Sequence, residues 1–439
     1  MRILRVLPLI LVAAFSLAGC EDLFKSAKVK LPGERVSVLA LEKELEPDPE
    51  LARMVVALPH PTTNRDWPQS GGVPTHNVGH PGLPDDLSVA WQAEVGEGAS
   101  RFAQVLAGPV VADGVVYTMD SRSLVSAFSA DDGRQLWQTD VTPEDDDSQA
   151  WGGGVGFDHG KVYVETGYGQ VLALDAADGK ILWRVSAGAP LRGAPTIADG
   201  RVYIITVDNE LQVVSTDDGH KLWTYDAVPE AAQIAGSASP AVEAGVVVAT
   251  FSSGEITALR VENGRVLWTD SLAATRRFDA ISTLADIRGR PVIDRGRVYA
   301  VSHSGRMAAI DLRTGERVWE QDIGGIYTPW VAGDFLYVLS INNELICLTR
   351  ADGRIRWITQ LDSWENMESQ SGALHWAGPL LAGDRLIAVA SNGATWSVSP
   401  YTGDVLGHID LPAGSFLSPV VADNTLYLMT NDASLTALR

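Results

Sequence analysis

From residue 108 onward, short apolar runs alternate with tight-turn residues at a regular beat. In the first unit, "GPVVA" (108–112) precedes an Asp113-Gly114 step and "VVYTMD" (115–120) follows it. A short turn leads to "LVSAFS" (124–129), then an Asp132-Gly133 step and "RQLWQTDV" (134–141). Runs of this length, rich in Val, Tyr and Phe, predict strands, and the Asp-Gly steps supply the positive φ that tight hairpins need. Each unit therefore reads as four short antiparallel strands.

The unit repeats in a fixed frame. Four residues after a turn glycine stand Trp137, Trp183, Trp223, Trp268, Trp319 and Trp357, and Gly407 takes that place in a seventh unit. Ten residues before the Trp place sit Ala127, Ala173, Val213, Ala258, Ala309, Cys347 and Ser397, all small. Twenty before it sit Tyr117, Tyr163, Tyr203, Val248, Tyr299, Tyr337 and Ile387. Spacing between units varies from 38 to 51 residues, and all the variation falls after the Trp place. Four-stranded units repeating at this period predict an all-β, eight-bladed β-propeller, because a blade alone cannot bury both its faces and radial stacking does. The outer-strand Trp is expected to pack across to the next blade, with the small residue making room for it.

The last unit places Tyr427 and Ala437 in the frame, and the chain ends at Arg439 before a fourth strand. A matching strand, "LSVAWQAEV" (87–95) with Trp91, lies near the start of the repeat region. The expectation is that it completes the blade of 418–439 and locks the ring. The predicted organisation is residues 1–19 as a signal peptide, 20–64 as a tether and 65–439 as the propeller. A short helix within 41–58 would be broken by Pro47 and Pro49.

The N-terminus changes the picture of where the ring works. Arg2 and Arg5 precede an apolar run, Ile10–Phe15, too short to span a bilayer comfortably, and small residues end at Cys20. Leu17-Ala18-Gly19-Cys20 resembles a bacterial lipobox, which implies cleavage before Cys20 and lipidation of its thiol. Glu21, rather than Asp, favours the outer membrane. With Cys20 lipidated, Cys347 has no intramolecular disulfide partner. The full chain carries 34 Lys and Arg against 55 Asp and Glu, a formal charge of −21. Such a body is repelled by phosphate backbones, which argues against nucleic-acid binding, and the lipid is the expected membrane attachment.

The residues offer little for catalysis. His76 and His80 are four apart, but on a Pro/Gly-rich stretch rather than a helix, so no metal pair is expected. "PEDDDSQ" (143–149) lacks the ligand alternation of a calcium loop. "WGGGVG" (151–156) is followed by strand rather than helix, so it is not a phosphate loop. Cys347 fills a small core position, and repeat acids such as Asp175 and Asp311 read as turn residues. No cofactor and no catalytic residue are expected.

The frame Ala-x-Asp-x-x-Thr/Asp-Gly-x-x-x-Trp, carried by Ala173 to Trp183 and Ala309 to Trp319, resembles the tryptophan-docking motif of quinoprotein-type propellers. Together with the lipobox, the unit count and "RDWPQSGG" (65–72), the chain resembles the BamB-like lipoproteins of the β-barrel assembly machinery. The resemblance implies a non-catalytic, periplasm-facing scaffold at the outer membrane that binds the barrel-inserting subunit and assists nascent β-barrel proteins. It implies partner contacts in two interblade loops, at Leu191 and Arg192 in "PLRGAPT" (190–196) and at Asp286 in "RFDAISTLADIRGRPV" (277–292). Arg288 stands where the family pattern has a second aspartate, and Ala189 where it has another leucine. The alternatives are a quinone-dependent dehydrogenase, disfavoured by the lack of an adjacent cysteine pair, and a generic peptide- or polysaccharide-binding envelope propeller.

Overall fold

The computed structural model describes residues 45–101, 103–144, 150–230, 233–273, 284–411 and 413–439. Among them the chain forms eight four-stranded antiparallel sheets, the blades of a propeller. Blades 1 to 7 span residues 110–140, 153–186, 196–226, 241–271, 292–321, 330–360 and 376–410, each in simple meander order. Blade 8 takes three strands from 420–438, and its outer strand is Val89–Glu94. Trp91 pairs with Ala437 and Glu94 with Ser434, so the ring closes through the expected pairing.

The register explains the ten-residue beat. In blade 1, Tyr117 lies opposite Ala127, and Ala127 opposite Trp137, in one row across three strands. The small middle side chain lets the two rings meet above it, with centroids 6.0 Å apart. The same meeting recurs for Tyr163 with Trp183, Tyr299 with Trp319, and Tyr337 with Trp357. The row buries Tyr117, Tyr163, Tyr299 and Tyr337 almost completely.

Residues 46–59 of the expected tether lie against blade 6, and Thr63 and Asn64 reach blade 8. Pro49–Leu51 form a short 3-10 turn capped by Asp48, and Leu51 and Val56 are buried. Arg354 of blade 6 pairs with Asp48 at 3.1 Å and Glu50 at 2.9 Å.

The next stretch runs around the ring axis. Residues 64–81 exchange hydrogen bonds with the inner part of every blade. Trp67 pairs with Val111, and Phe157 N donates to the Pro68 carbonyl. Ile197 N donates to Gln69 Oε1, Val242 N to Pro74 and Ile293 N to Thr75. Trp330 Nε1 donates to the Gly79 carbonyl, Gly383 N to Pro81 and Asp423 N to Asn64. Apart from Trp330, which begins its strand, these partners lie at or next to the downstream end of their inner strands, so the segment caps that end of the axial channel.

Sequence reasoning did not foresee one element. A small hairpin, Trp364–Asn366 with Ser371–Ala373, leaves the ring between blades 6 and 7. It is mostly exposed, and Met367 at its tip is 60% exposed.

Candidate functional site

The joints between blades come first, because they fix every loop. Trp137 donates its indole N–H to the Ala176 carbonyl at 2.8 Å, and Trp223 to Val261 at 2.9 Å. Trp91, Trp183, Trp268, Trp319 and Trp357 make the corresponding bond to the next blade. Each indole also lies flat against a turn glycine of that blade. A Cβ at Gly179 would stand 2.5 Å from the Trp137 ring, and one at Gly353 2.6 Å from Trp319. Close approach, not only turn conformation, therefore demands glycine there.

The exception explains itself. The residue in the Trp place of blade 7 is Gly407, which would dock on the last turn of blade 8. Blade 8 has no such turn, because its third and fourth strands come from opposite ends of the ring sequence. A Cβ at Gly407 would meet nothing within 4 Å.

The interblade loops lead into the upstream ends of the inner strands, on the face opposite the cap. Leu191 has no accessible surface. It bridges to Thr206 and packs with Tyr163, Ala173 and Val202 between blades 2 and 3. Leu191, one of the residues expected to contact the partner, holds the loop from within and presents Arg192. The Arg192 guanidinium lies over the Trp151 ring, 4.6 Å from its centroid, and its Nε has no hydrogen-bond partner.

Asp286 is also buried, at 5% exposure. Its Oδ2 accepts from Ile234 N at 2.8 Å, tying the loop before blade 4 to the loop before blade 5. Burial raises its pKa above the ordinary carboxylate value, against that hydrogen bond and the nearby Arg288 charge. Asp286 thus acts as a strut. Arg288 is half-buried, with its guanidinium 5.6 Å from the Tyr327 ring centroid and its Nε near Gly236. A Cβ at Gly193 would stand 3.2 Å from the Ser237 carbonyl. Loop 234–237 therefore sits between Arg192 and Arg288.

Arg288 also edges the open mouth of the channel, a cleft of about 490 Å³ with Tyr327, Trp376 and Phe416 on its walls. Deeper lie Arg290, His76 and Trp67, the last two from the capping segment. The axial position of Trp67 and His76 was missed from sequence, since a Pro/Gly-rich stretch without a period carries no signal of it, and Arg290 sits in a loop that carries none either. His76 and His80 do not act as a pair: their Nδ1 atoms face the separate carbonyls of Pro291 and Pro59, each at 2.8 Å. Cys20 and most of "PEDDDSQ" lie outside the described residues, as do 277–283 of the loop carrying Asp286.

Comparison with known proteins gives a consistent picture. A family model described as outer membrane protein assembly factor BamB matches residues 121–359. The chain is 28% identical over 355 residues to a protein of that name from Yersinia pestis, covering 79% of this chain and 87% of the relative. It is 27% identical over 358 residues to that of Escherichia coli K12, covering 80% and 88%. Among solved structures, BamB from Moraxella catarrhalis superposes with a TM-score of 0.66 at 20% identity, covering 81% of this chain and 98% of that one. A europium-containing methanol dehydrogenase gives 0.67 at 14% identity, covering 83% and 89%, a likeness of fold.

Proposed function

As the chain belongs to the outer membrane protein assembly factor BamB family, we propose that it is a non-catalytic scaffold binding the barrel-inserting subunit of the outer-membrane assembly machinery. It is held by a lipid on Cys20 at the outer membrane, facing the periplasm. Its docking face is the one opposite the axial cap.

The observation that carries this reading is the trio of adjoining loops at 190–193, 234–237 and 286–288. They are braced by buried Leu191 and by the Asp286 bond to Ile234. The bracing leaves two arginines at the surface in fixed poses, each against an aromatic ring. A preorganised guanidinium loses little freedom on meeting a partner carboxylate and can bind it with two parallel hydrogen bonds. Nascent β-barrel proteins are then guided by strand addition at blade edges.

The test is co-purification of the barrel-inserting subunit from solubilised membranes. Arg192→Glu with Arg288→Glu should abolish it while the thermal melt stays that of the unaltered chain. A folded double variant that still retains the subunit would reject this face.

A further inference from the structure

We propose that the axial channel is a binding pocket for a small organic acid, its carboxylate or phosphate held by Arg290 and Arg288 and its apolar body by the channel mouth. This site shares Arg288 with the docking face but not Arg192, and its second arginine, Arg290, lies deeper in the channel.

Three features make the channel a receptor rather than a pore. First, it is blind. The segment 64–81 is bonded to all eight blades and places Trp67, Ser70, Gly71 and His76 along the inner cavity. The open end is a cleft of about 490 Å³ walled by Leu106, Ile326, Tyr327, Trp376 and Phe416. That volume and lining suit a small molecule with an aromatic or aliphatic body.

Second, the inner cavity is lined by two arginines that make no ion pair among the described residues. Arg288 and Arg290 flank Gly289 and both line it. Among the described residues, neither has a carboxylate within ion-pair distance, although the chain as a whole is strongly acidic. Arg290 is fixed by a 2.9 Å bond from Nη1 to Thr328 Oγ1. Burial first, and the Arg288 charge second, lower its pKa to about 10, with no carboxylate acting the other way. Two cations in a desolvated channel repel each other, and an anion between them removes that cost.

Third, His76 waits for a donor. It is 5% exposed, and its Nδ1 carries the proton given to the Pro291 carbonyl. Its Nε2 is therefore a bare acceptor, and it has no partner. Burial and the Arg290 charge push its pKa down to about 3, so the ring is neutral. A hydroxyl on the acid, or the acid proton of a phosphate monoester, would satisfy it.

Trp67 and Trp330 stack in this cavity, with centroids 6.3 Å apart, and provide the signal. Benzoate and phenyl phosphate are titrated into the full chain while tryptophan emission is followed, with benzyl alcohol as the uncharged match. A saturable change with either acid, absent with benzyl alcohol, is expected; the stronger of the two identifies the headgroup. Arg290→Gln should weaken binding roughly tenfold or more, and Arg290→Lys should restore part of it. Arg288→Gln, at a half-exposed position, is the second variant should Arg290→Gln not fold. No saturable response to either acid would overturn the proposal. So would an equal response to benzyl alcohol, or undiminished affinity in a folded glutamine variant.

Discussion

The joint between blades 5 and 6 offers a sharp test of why the repeat needs both its glycine and its tryptophan. Trp319 is 8% exposed and donates to the Arg350 carbonyl at 3.0 Å. A Cβ on Gly353 would lie 2.6 to 2.7 Å from the indole atoms, and Gly353 has φ +71°. Gly353→Ala then carries two costs. Left-handed backbone costs an alanine about 1–2 kcal/mol, partly offset by about 0.4–1 kcal/mol of lost unfolded-state entropy. Overpacking against the rigid ring adds about 1–3 kcal/mol. Gly296 isolates the first cost, since its φ is +74° and a Cβ there would meet nothing within 4 Å. Gly296→Ala should destabilise by only about 1 kcal/mol, and Gly353→Ala by about 2–4 kcal/mol. Trp319→Ala should cost about 3–5 kcal/mol, including the orphaned carbonyl. In the double variant the ring is gone and the clash with it, so the losses should fall short of their sum by about 1–3 kcal/mol. Urea unfolding followed by far-ultraviolet circular dichroism reads all four variants. The reasoning is refuted if Gly353→Ala costs no more than Gly296→Ala, or if the two joint substitutions add.

Gly407→Trp should change the melting midpoint little, within about 0.5 kcal/mol, because the indole finds room but no turn to dock on; a gain of joint size would contradict the account of the seam. Asp270 and Arg317 pair across blades 4 and 5 with bonds of 2.7 and 2.8 Å. Burial raises the Asp270 pKa, but hydrogen bonds from Arg317 and Ser271 outweigh it, so the net shift is downward. Its contribution is therefore present above the unfolded value near 3.9 and is lost as pH falls through the lower folded value. Asp270→Asn should reduce stability at pH 7 and flatten the acid-side fall in melting temperature; an unchanged acid slope would argue against it. Cys347 is fully buried, and burial pushes its thiol far up, so a thiol reagent should label it only after global unfolding. Fast labelling of the native chain would show that blade 6 opens locally.

The ring was readable because it is built from rows. Tyr117, Ala127 and Trp137 face one another across three strands, so tight hairpins must place them ten residues apart. The Trp-to-glycine joint demands a second fixed interval, and its one failure, at Gly407, falls where the chain closes on itself. Leu191 and Asp286 were less legible. Loop residues carry no periodicity that separates a buried brace from an exposed contact, so the burial of Leu191 behind Arg192 could not be read from the chain. The axial segment was least legible, because it meets each blade through one or two backbone groups. Pro, Gly and a scatter of polar residues suffice for that, and such composition also describes ordinary linkers.

The axial segment constrains how any client strand could be handled. A blade's inner strand is a sheet edge, and an unpaired edge invites pairing with another chain. Here Trp67, Pro68, Gln69, Pro74 and Thr75 take up backbone groups on the inner strands of blades 1 to 5, and the cap continues through blades 6 to 8. Strand addition from the axis is thereby blocked on that side. The outer strands remain open, and they alternate exposed apolar residues such as Leu182, Leu222 and Leu406 with polar ones. An extended client would therefore have to add at the rim, where the outer strand of blade 7 is singular in lacking a docked tryptophan. Rim edges thus lie away from the axis, whereas the loops of the open face and the axial channel meet at Arg288.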